Sequence, residues 1–308
     1  MPRVFGSLFL GGVTVGFSMA VMAAVPPQAR VSIDRITGGK GAYVADDGAY
    51  RVIFPREEAT IVTDDRTLSP GLGLNSWVAF TSAIHHEAIL TGQFLLLEDE
   101  VNAVLTMALD AGLEVTGLAA TSIFDGPRLQ TLDVTGFGTF ENLAGAFRKG
   151  LDEVRRVRRA TTRPKSALPE VPTTSAIDAA PLDAVLSMKG VVTEGVYRAA
   201  IGKRALLHGE LVGREMGMST WFSFAGTNGR AVAQGEIVET AGDLKKVLKA
   251  LRVGGINITS IRNHTLNEQP QLVFVRFWGQ GTALELAKAL RYVLEVDVGA
   301  ISAPGRQL

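Results

Sequence analysis

The chain has 308 residues, of which 46% are hydrophobic and 20% charged, the balance of a globular protein and not of a disordered one. Lys and Arg number 31 against 31 Asp and Glu, and a chain without a basic surplus is not built as a dedicated nucleic-acid binder. Cysteine is absent, which excludes disulfides, thiolate metal sites, a cysteine nucleophile and a lipid-modified cysteine.

The sequence opens with Arg3 and an apolar run over residues 4–21, diluted by Gly and Ser, with Ala23 and Ala24 ahead of Pro26 and Pro27. This pattern reads as a secretory signal over residues 1–24, cleaved near Ala24, so the mature protein is expected in the periplasm or secreted. The rival reading is an uncleaved membrane anchor, because the run approaches spanning length. No later stretch is long and apolar enough to span a membrane, so no transmembrane segment is expected after cleavage.

The rest of the chain says nearly the same thing twice. Residues 92–151 slide onto 235–294 without a gap, Gly92 meeting Gly235, Val104 Val247, Gly112 Gly255, Thr116 Thr259 and Pro127 Pro270. Gly136, Gly138 and Thr139 then meet Gly279, Gly281 and Thr282. Glycines, a proline and apolar positions held in register over such a length mark a duplicated folding unit.

In chain order, the first unit is expected over residues 31–154. It opens with a strand at Tyr50-Arg51 and another at Trp77, followed by a loop holding His85 and His86. The spacing predicts a helix over 98–111 stopped by Gly112, strands over 113–118 and 128–134 about a turn at 125–127, and a helix over 140–154. A linker over 155–181 begins with Arg155, Arg156, Arg158, Arg159, Arg163 and Lys165 and dissolves into Pro, Ser, Thr and Ala. Cations suit a helix C-terminus that runs into a solvated linker; the sharper reading is a polybasic contact with anionic lipid or a polyanion.

The second unit is expected over 182–298, ahead of a tail over 299–308. Tyr197-Arg198 and Trp221 open strands as their counterparts do, and a strand follows over 231–238. Thr240 with Asp243 resembles a capping box before Leu244, Val247, Leu248 and Leu251, and Gly254 and Gly255 supply the stop. Strands over 256–262 and 271–278 flank a turn, and Thr282 with Glu285 opens a last helix lined by Leu286, Ala287, Leu290 and Leu294. The fold class expected is α+β: two tandem duplicated units, each a mainly antiparallel sheet in β-α-β-β-α order with two helices packed on one face.

Candidate chemistry is sparse. Of the four histidines, His85 and His86 are adjacent, so on an extended segment they point to opposite faces and make a poor chelate. The hairpin of the second unit is richer, with Arg262, Asn263 and His264 on one strand and Arg276 and Trp278 on the other. Arg262 and His264 share parity, so both leave the same face if the strand runs that far. Two guanidinium groups and an imidazole beside aromatics suit a carboxylate, phosphate or sugar-acid ligand. The plainer reading has these residues solvated, or paired with Glu268. At the equivalent positions the first unit has Ala119, Ala120, Thr121 and Asp133, so it reads as scaffold. Glu98, Asp99 and Glu100 suit a helix N-terminus by the dipole alone. The Gly-rich stretches at 38–41 and 71–73 lack the phosphate-loop pattern, and neither a G-x-S-x-G elbow nor an H-E-x-x-H helix occurs.

The strings GLGLNSWVAF (71–80), GQFLLLEDEVNAVL (92–105) and IRNHTLNEQPQLVFVRFWG (261–279) resemble the LppY/LpqO family of bacterial exported proteins and lipoproteins, built on a domain of unknown function that often occurs twice. The resemblance covers nearly the whole mature chain and implies location and architecture, not an activity. It also implies a hairpin close to His-Asn-His-Met-Leu with a further His before Phe-Trp-Gly. Here Arg262, Asn263, His264, Thr265 and Leu266 stand at those positions and Arg276 takes the place of the last His. Three histidines would make a credible metal or acid-base site. A lone His264 between permanent cations does not attract a divalent cation, so no metal and no cofactor is expected.

The expectation is therefore an exported binding protein that takes a small anionic or glycan-like ligand through Arg262, Asn263, His264, Arg276 and Trp278. The alternatives are a hydrolase or lyase using His264 as acid or base, with the arginines holding an oxyanion, and a structural envelope-interaction module. No nucleic-acid partner is expected, and the sequence leaves the oligomeric state open.

Overall fold

The computed structural model describes residues 24–56, 62, 63, 66, 67, 74–121, 125–160, 172 and 174–296. Residues 1–23 of the expected signal (1–24) and the tail over 299–308 lie outside the described residues, as do 161–171 and 173 of the expected linker.

The first copy begins with helix α1 (Pro27–Thr37), then β1 (Gly41–Val44), β2 (Ala49–Pro55), and the two-residue strands β3 (Val62–Thr63) and β4 (Arg66–Thr67). Strands β5 (Asn75–Ser82) and β6 (Ala88–Leu97) lead to helix α2 (Val101–Asp110). Then come β7 (Glu114–Ala120), the short β8 (Asp125–Gly126), β9 (Leu129–Gly138) and helix α3 (Phe140–Arg159). The second copy begins with helix α4 (Ala179–Leu186), β10 (Val191–Thr193), β11 (Val196–Gly202), β12 (Ala205–Leu207) and β13 (Glu210–Val212). Strands β14 (Ser219–Thr227) and β15 (Arg230–Thr240) precede helix α5 (Leu244–Val253). It closes with β16 (Asn257–Arg262), β17 (Glu268–Gln269), β18 (Leu272–Gly281) and helix α6 (Ala283–Val296).

Two tandem copies in a mixed α+β fold, with antiparallel ladders between the named strands, agree with the sequence reading. Three features depart from it. Each copy places a short strand inside the hairpin, β8 or β17, so the run is β-α-β-β-β-α and not β-α-β-β-α. Each copy also carries a third helix, α1 or α4. Pro27 is tolerated at the start of α1 because the first helical N–H groups have no partner in the helix, and Ala29, Ile33 and Thr37 are its buried face. Asp34 near its end accepts from the Gly41 N–H and the Tyr50 hydroxyl, and in α4 Asp183 does the same for Gly190 and Tyr197. These bonds fasten each extra helix to its outer strands.

The third departure is the largest. The copies do not keep separate sheets but share one of twelve strands, ordered β1-β2-β5-β6-β9-β7-β16-β18-β15-β14-β11-β10. Strand β7 meets β16 at the centre, where Leu118 pairs with Ile261, the residue at its own position in the other copy. An unpaired edge leaves N–H and C=O groups without partners, and joining like edges satisfies them. Helices α2 and α5 meet on one face above this seam, and the Asn102 side chain both accepts from the Ile258 N–H and donates to its carbonyl, at 2.8 and 3.2 Å. A single hydrophobic core then runs through both copies, from Ile33 and Phe147 to Phe277 and Leu290.

Capping follows the sequence only in part. Thr282 accepts from the Glu285 N–H and donates to its carboxylate, and Thr139 accepts from the Asn142 N–H. Helix α5, however, starts at Leu244 after Asp243, which makes no side-chain cap bond; Thr240 instead reaches the Asp243 carboxylate. Gly112 and Gly255 stop the equivalent helices α2 and α5 with φ of +92° and +71°, a conformation that costs glycine nothing. The basic run is partly helical: Arg155–Arg159 continue α3, Arg155 pairing with Asp152, Arg156 with Glu153, and Arg158 with Asp99 and Glu100.

Alternation along the strands sends one set of side chains into the helix-covered core and the other onto an open face. All three tryptophans, Trp77, Trp221 and Trp278, take the open-face parity and are half-buried. In the second copy β12, β13 and β17 form a small sheet whose Ala205 and Val212 pack on Val238, Leu272 and Phe274 at one end of that face.

Candidate functional site

The site residues are set by register. Strand β18 lies between β15 and β16, with Glu236 opposite Arg276 on one side and Ser260 opposite it on the other. Arg262 pairs with Phe274, one step along the same face. A bulge between Ile258 and Ser260 shifts the pairing, and an equivalent bulge between Val115 and Gly117 shows that it belongs to the duplicated unit.

Arg262 and Arg276 converge on one oxygen. Arg262 Nη2 donates to Glu236 Oε2 at 2.7 Å and Arg276 Nε donates to the same atom at 3.1 Å. The Glu236 side chain is 7% exposed, against 35% for Arg262 and 57% for Arg276. A buried carboxylate thus holds two half-exposed guanidinium groups at a fixed spacing, and the trio carries a net positive charge. Bonds with both partners ionised are the short, strong kind, so the geometry is prepared before any ligand arrives.

Strand β16 ends at Arg262, yet His264 returns to the same place. Its Nδ1 lies 3.4 Å from Arg262 Nη1, and its ring packs against Phe274 with centroids 5.0 Å apart. Gly217 makes room for it, since a Cβ there would stand 2.6 Å from His264 Nε2. Asn263 contributes its backbone carbonyl, which accepts from Arg262 Nη1 at 3.2 Å; its side chain is exposed. Trp278 stands two residues beyond Arg276 on the same face, opposite Gln234. Of the five expected residues, Arg262, His264 and Arg276 are thus brought together, Asn263 only by its backbone, and Trp278 one row away.

Glu268 is not the partner of the arginines. It is buried at the far end of the hairpin, where it accepts from the Thr265 hydroxyl and the Leu272 N–H. Burial works to raise its carboxyl, but the Leu272 N–H, the Thr265 hydroxyl and the charge of His264 hold it below the usual range. The sequence reading missed Glu236. Its parity puts it on the open face, but only the adjacency of β15 and β18 shows which cations it meets.

In the first copy Gln93 faces Asp133 at the equivalent positions, with Gln93 Nε2 donating to Asp133 Oδ1 at 2.8 Å. The same register pair is kept with the charge removed on one strand and inverted on the other. The first copy's other notable feature is buried: Arg56 donates to both oxygens of Glu100, at 2.7 and 2.6 Å. A cavity of about 300 Å³ beside it is lined by Phe54, Arg155, Arg158 and Arg159, among others. His85 and His86 are exposed, His86 lying against Phe137. Among the described residues no three His, Asp or Glu side chains are grouped so as to hold a metal ion, and no helix is long and apolar enough to cross a membrane.

A family model described as Domain of Unknown Function (DUF1259) matches the chain twice, over residues 31–153 and 180–296. The chain belongs to this family. Both matches cover the duplicated unit, and the second contains the whole arginine site. No curated protein matches. Among solved structures, a trimeric bacterial microcompartment shell protein, PduB, aligns at 9% identity and a TM-score of 0.21 over 84% of this chain and 90% of its own. An aspartate kinase from Synechocystis aligns at 11% identity and a TM-score of 0.16 over 72% of this chain and 42% of its own. Scores so low carry no argument about fold or function.

Proposed function

We propose that the protein is an exported binding protein for an anionic ligand of the sugar-acid kind, held at Arg262 and Arg276 on the open sheet face. The observation that carries this reading is the convergence of both guanidinium groups on the buried Glu236 oxygen, with Trp278 and Trp221 on the same face. A guanidinium has five N–H donors in a rigid fork, so the bond to Glu236 leaves donors for a second carboxylate. Half-buried indoles beside them suit the apolar C–H face of a pyranose ring. Export is part of the proposal and is supported by the apolar run over 4–21 and the small residues Ala23 and Ala24. The LppY/LpqO kinship belongs to it too, on the three strings that resemble that family.

Binding is favoured over catalysis by His264. The side chain within hydrogen-bond reach of its ring nitrogen is Arg262, which has no acceptor to hold and orient the ring as a carboxylate does. Isothermal titration of galacturonate and glucuronate into the purified protein tests the reading. Saturable binding, weakened at least about tenfold in Arg262→Ala/Arg276→Ala by the loss of charged hydrogen bonds worth about 1.5–3 kcal/mol each, supports it. Binding unchanged in that variant removes the assignment.

A further inference from the structure

We infer that the ligand is a stretch of polymer, a linear glycan bearing repeated carboxylates, and that it lies across five strands of the second copy. The inference rests on the site proposed above and extends it. Register lines up Arg198, Ser223, Gln234, Trp278 and Asn257 as one continuous row over β11, β14, β15, β18 and β16. The neighbouring row holds Trp221, Glu236, Arg276 and Ser260. At neighbouring-strand spacings near 4.8 Å the five-strand row is about 19 Å long and the four-strand row about 14 Å, more than one sugar ring can touch.

The far end of the row is also cationic. A groove of about 420 Å³ opens there, lined by Lys189, Arg198, Arg214 and Ser223 among others. The Arg198 guanidinium lies over the Trp221 ring, 4.9 Å from its centroid, so cation and indole are presented together. Lys189 shares its charge with Asp183 at 3.2 Å and Arg214 with Glu215 at 3.2 Å, both on exposed chains. Cations therefore stand on β11 at Arg198 and, beside the other end of the row, at Arg276 on β18 and Arg262 on β16, with hydroxyl, amide and indole groups between them. This order suits a chain of acidic sugars, whose carboxylates recur and whose hydroxyls need neutral partners. A nucleic acid is the less suitable polyanion, because the chain has no basic surplus.

The first copy shows what the row looks like without this property. Its equivalent runs Arg51, Ala79, Thr91, Thr135 and Glu114, with neither indole nor amide in the row and a carboxylate at the inner end. The outer pairing of cation and indole is kept, Arg51 lying over the Trp77 ring at 4.1 Å, so what belongs to the second copy alone is the indole and amide of the row and the arginine pair beside it.

Titration of oligogalacturonates of increasing length into the full chain tests this. Affinity is expected to climb at least about tenfold between dimer and hexamer as the second cationic cluster is engaged. Arg198→Ala/Arg214→Ala is expected to return the hexamer to the dimer's affinity while leaving the dimer unchanged, and Arg214→Glu alone to act in the same direction. Dimer and hexamer binding equally, both still dependent on Arg262 and Arg276, overturns the polymer inference and leaves the proposed site standing. No binding at any length overturns both. Oligothymidylate binding more tightly than the hexamer also overturns it, in favour of a nucleic acid.

Discussion

Leu118 and Ile261 occupy the same position in the two copies and pair with each other at the centre of the twelve-stranded sheet. They are 2% and 3% exposed and belong to the core that spans both copies. The duplication therefore makes one cooperative body and not two beads. Chemical denaturation is expected to show a single transition, and Leu118→Ala or Ile261→Ala to lower stability by about 2–5 kcal/mol without splitting it. Two resolved transitions in circular dichroism would contradict the shared core.

The seam also depends on one amide. Asn102 serves both the N–H and the carbonyl of Ile258, the first at 2.8 Å. Asn102→Ala leaves those backbone groups unsatisfied and is expected to cost about 1–3 kcal/mol in the same denaturation assay. Asn102→Asp, which can accept but not donate, is expected to recover only part of that loss.

Arg56 and Glu100 form a deeply buried ion pair, with side chains 4% and 0% exposed. Removing one partner strands a charge in the interior. Glu100→Ala is expected to destabilise by about 3–5 kcal/mol. A thermal shift too small to register would show that Arg56 finds water or another anion once Glu100 is gone.

Stability near the extremes of pH should follow the helix-fastening carboxylates and their tyrosines. The Gly190 N–H, with Lys189 and the Tyr197 hydroxyl, holds Asp183 below its ordinary value of 3.8 against the opposing effect of burial. A depressed carboxyl contributes stability that is complete above that value and is lost as pH falls through the lower, folded one. Asp183→Asn should therefore flatten the acid limb of the stability curve. Burial, together with the bond to Asp34, pushes Tyr50 up to about 12 from 10.0. Its contribution is complete below pH 10 and is lost as pH rises through about 12, so Tyr50→Phe should flatten the alkaline limb. Limbs identical to the parent's would contradict these assignments.

What the sequence made legible was local. Gly112 and Gly255 stop equivalent helices, Thr282 caps the last one, and strand parity puts Arg262 and Arg276 on one face, whereas His264 lies beyond the end of its strand and returns to them by the loop. What escaped was decided by strands far apart in the chain. The alternation in β7 reads the same whether its edge meets water or β16, so the joining of the sheets has no local signature. Glu236 sits 26 residues before Arg262 and 40 before Arg276, and no spacing rule links them. Helix α1 escaped because its buried face is three small steps, Ala29, Ile33 and Thr37, directly behind two prolines that also suit the exit of a signal.

The proposed ligand is an anion gripped by Arg262 and Arg276. Calorimetric titration of trigalacturonate and of its fully methyl-esterified form into the same preparation isolates that claim, because esterification removes the charges and adds only a methyl group at each carboxyl. The acid is expected to bind and the ester not to, with affinity for the acid falling as salt is raised. Equal affinity for the two forms would contradict an anion site and leave the open face a surface for neutral sugars alone.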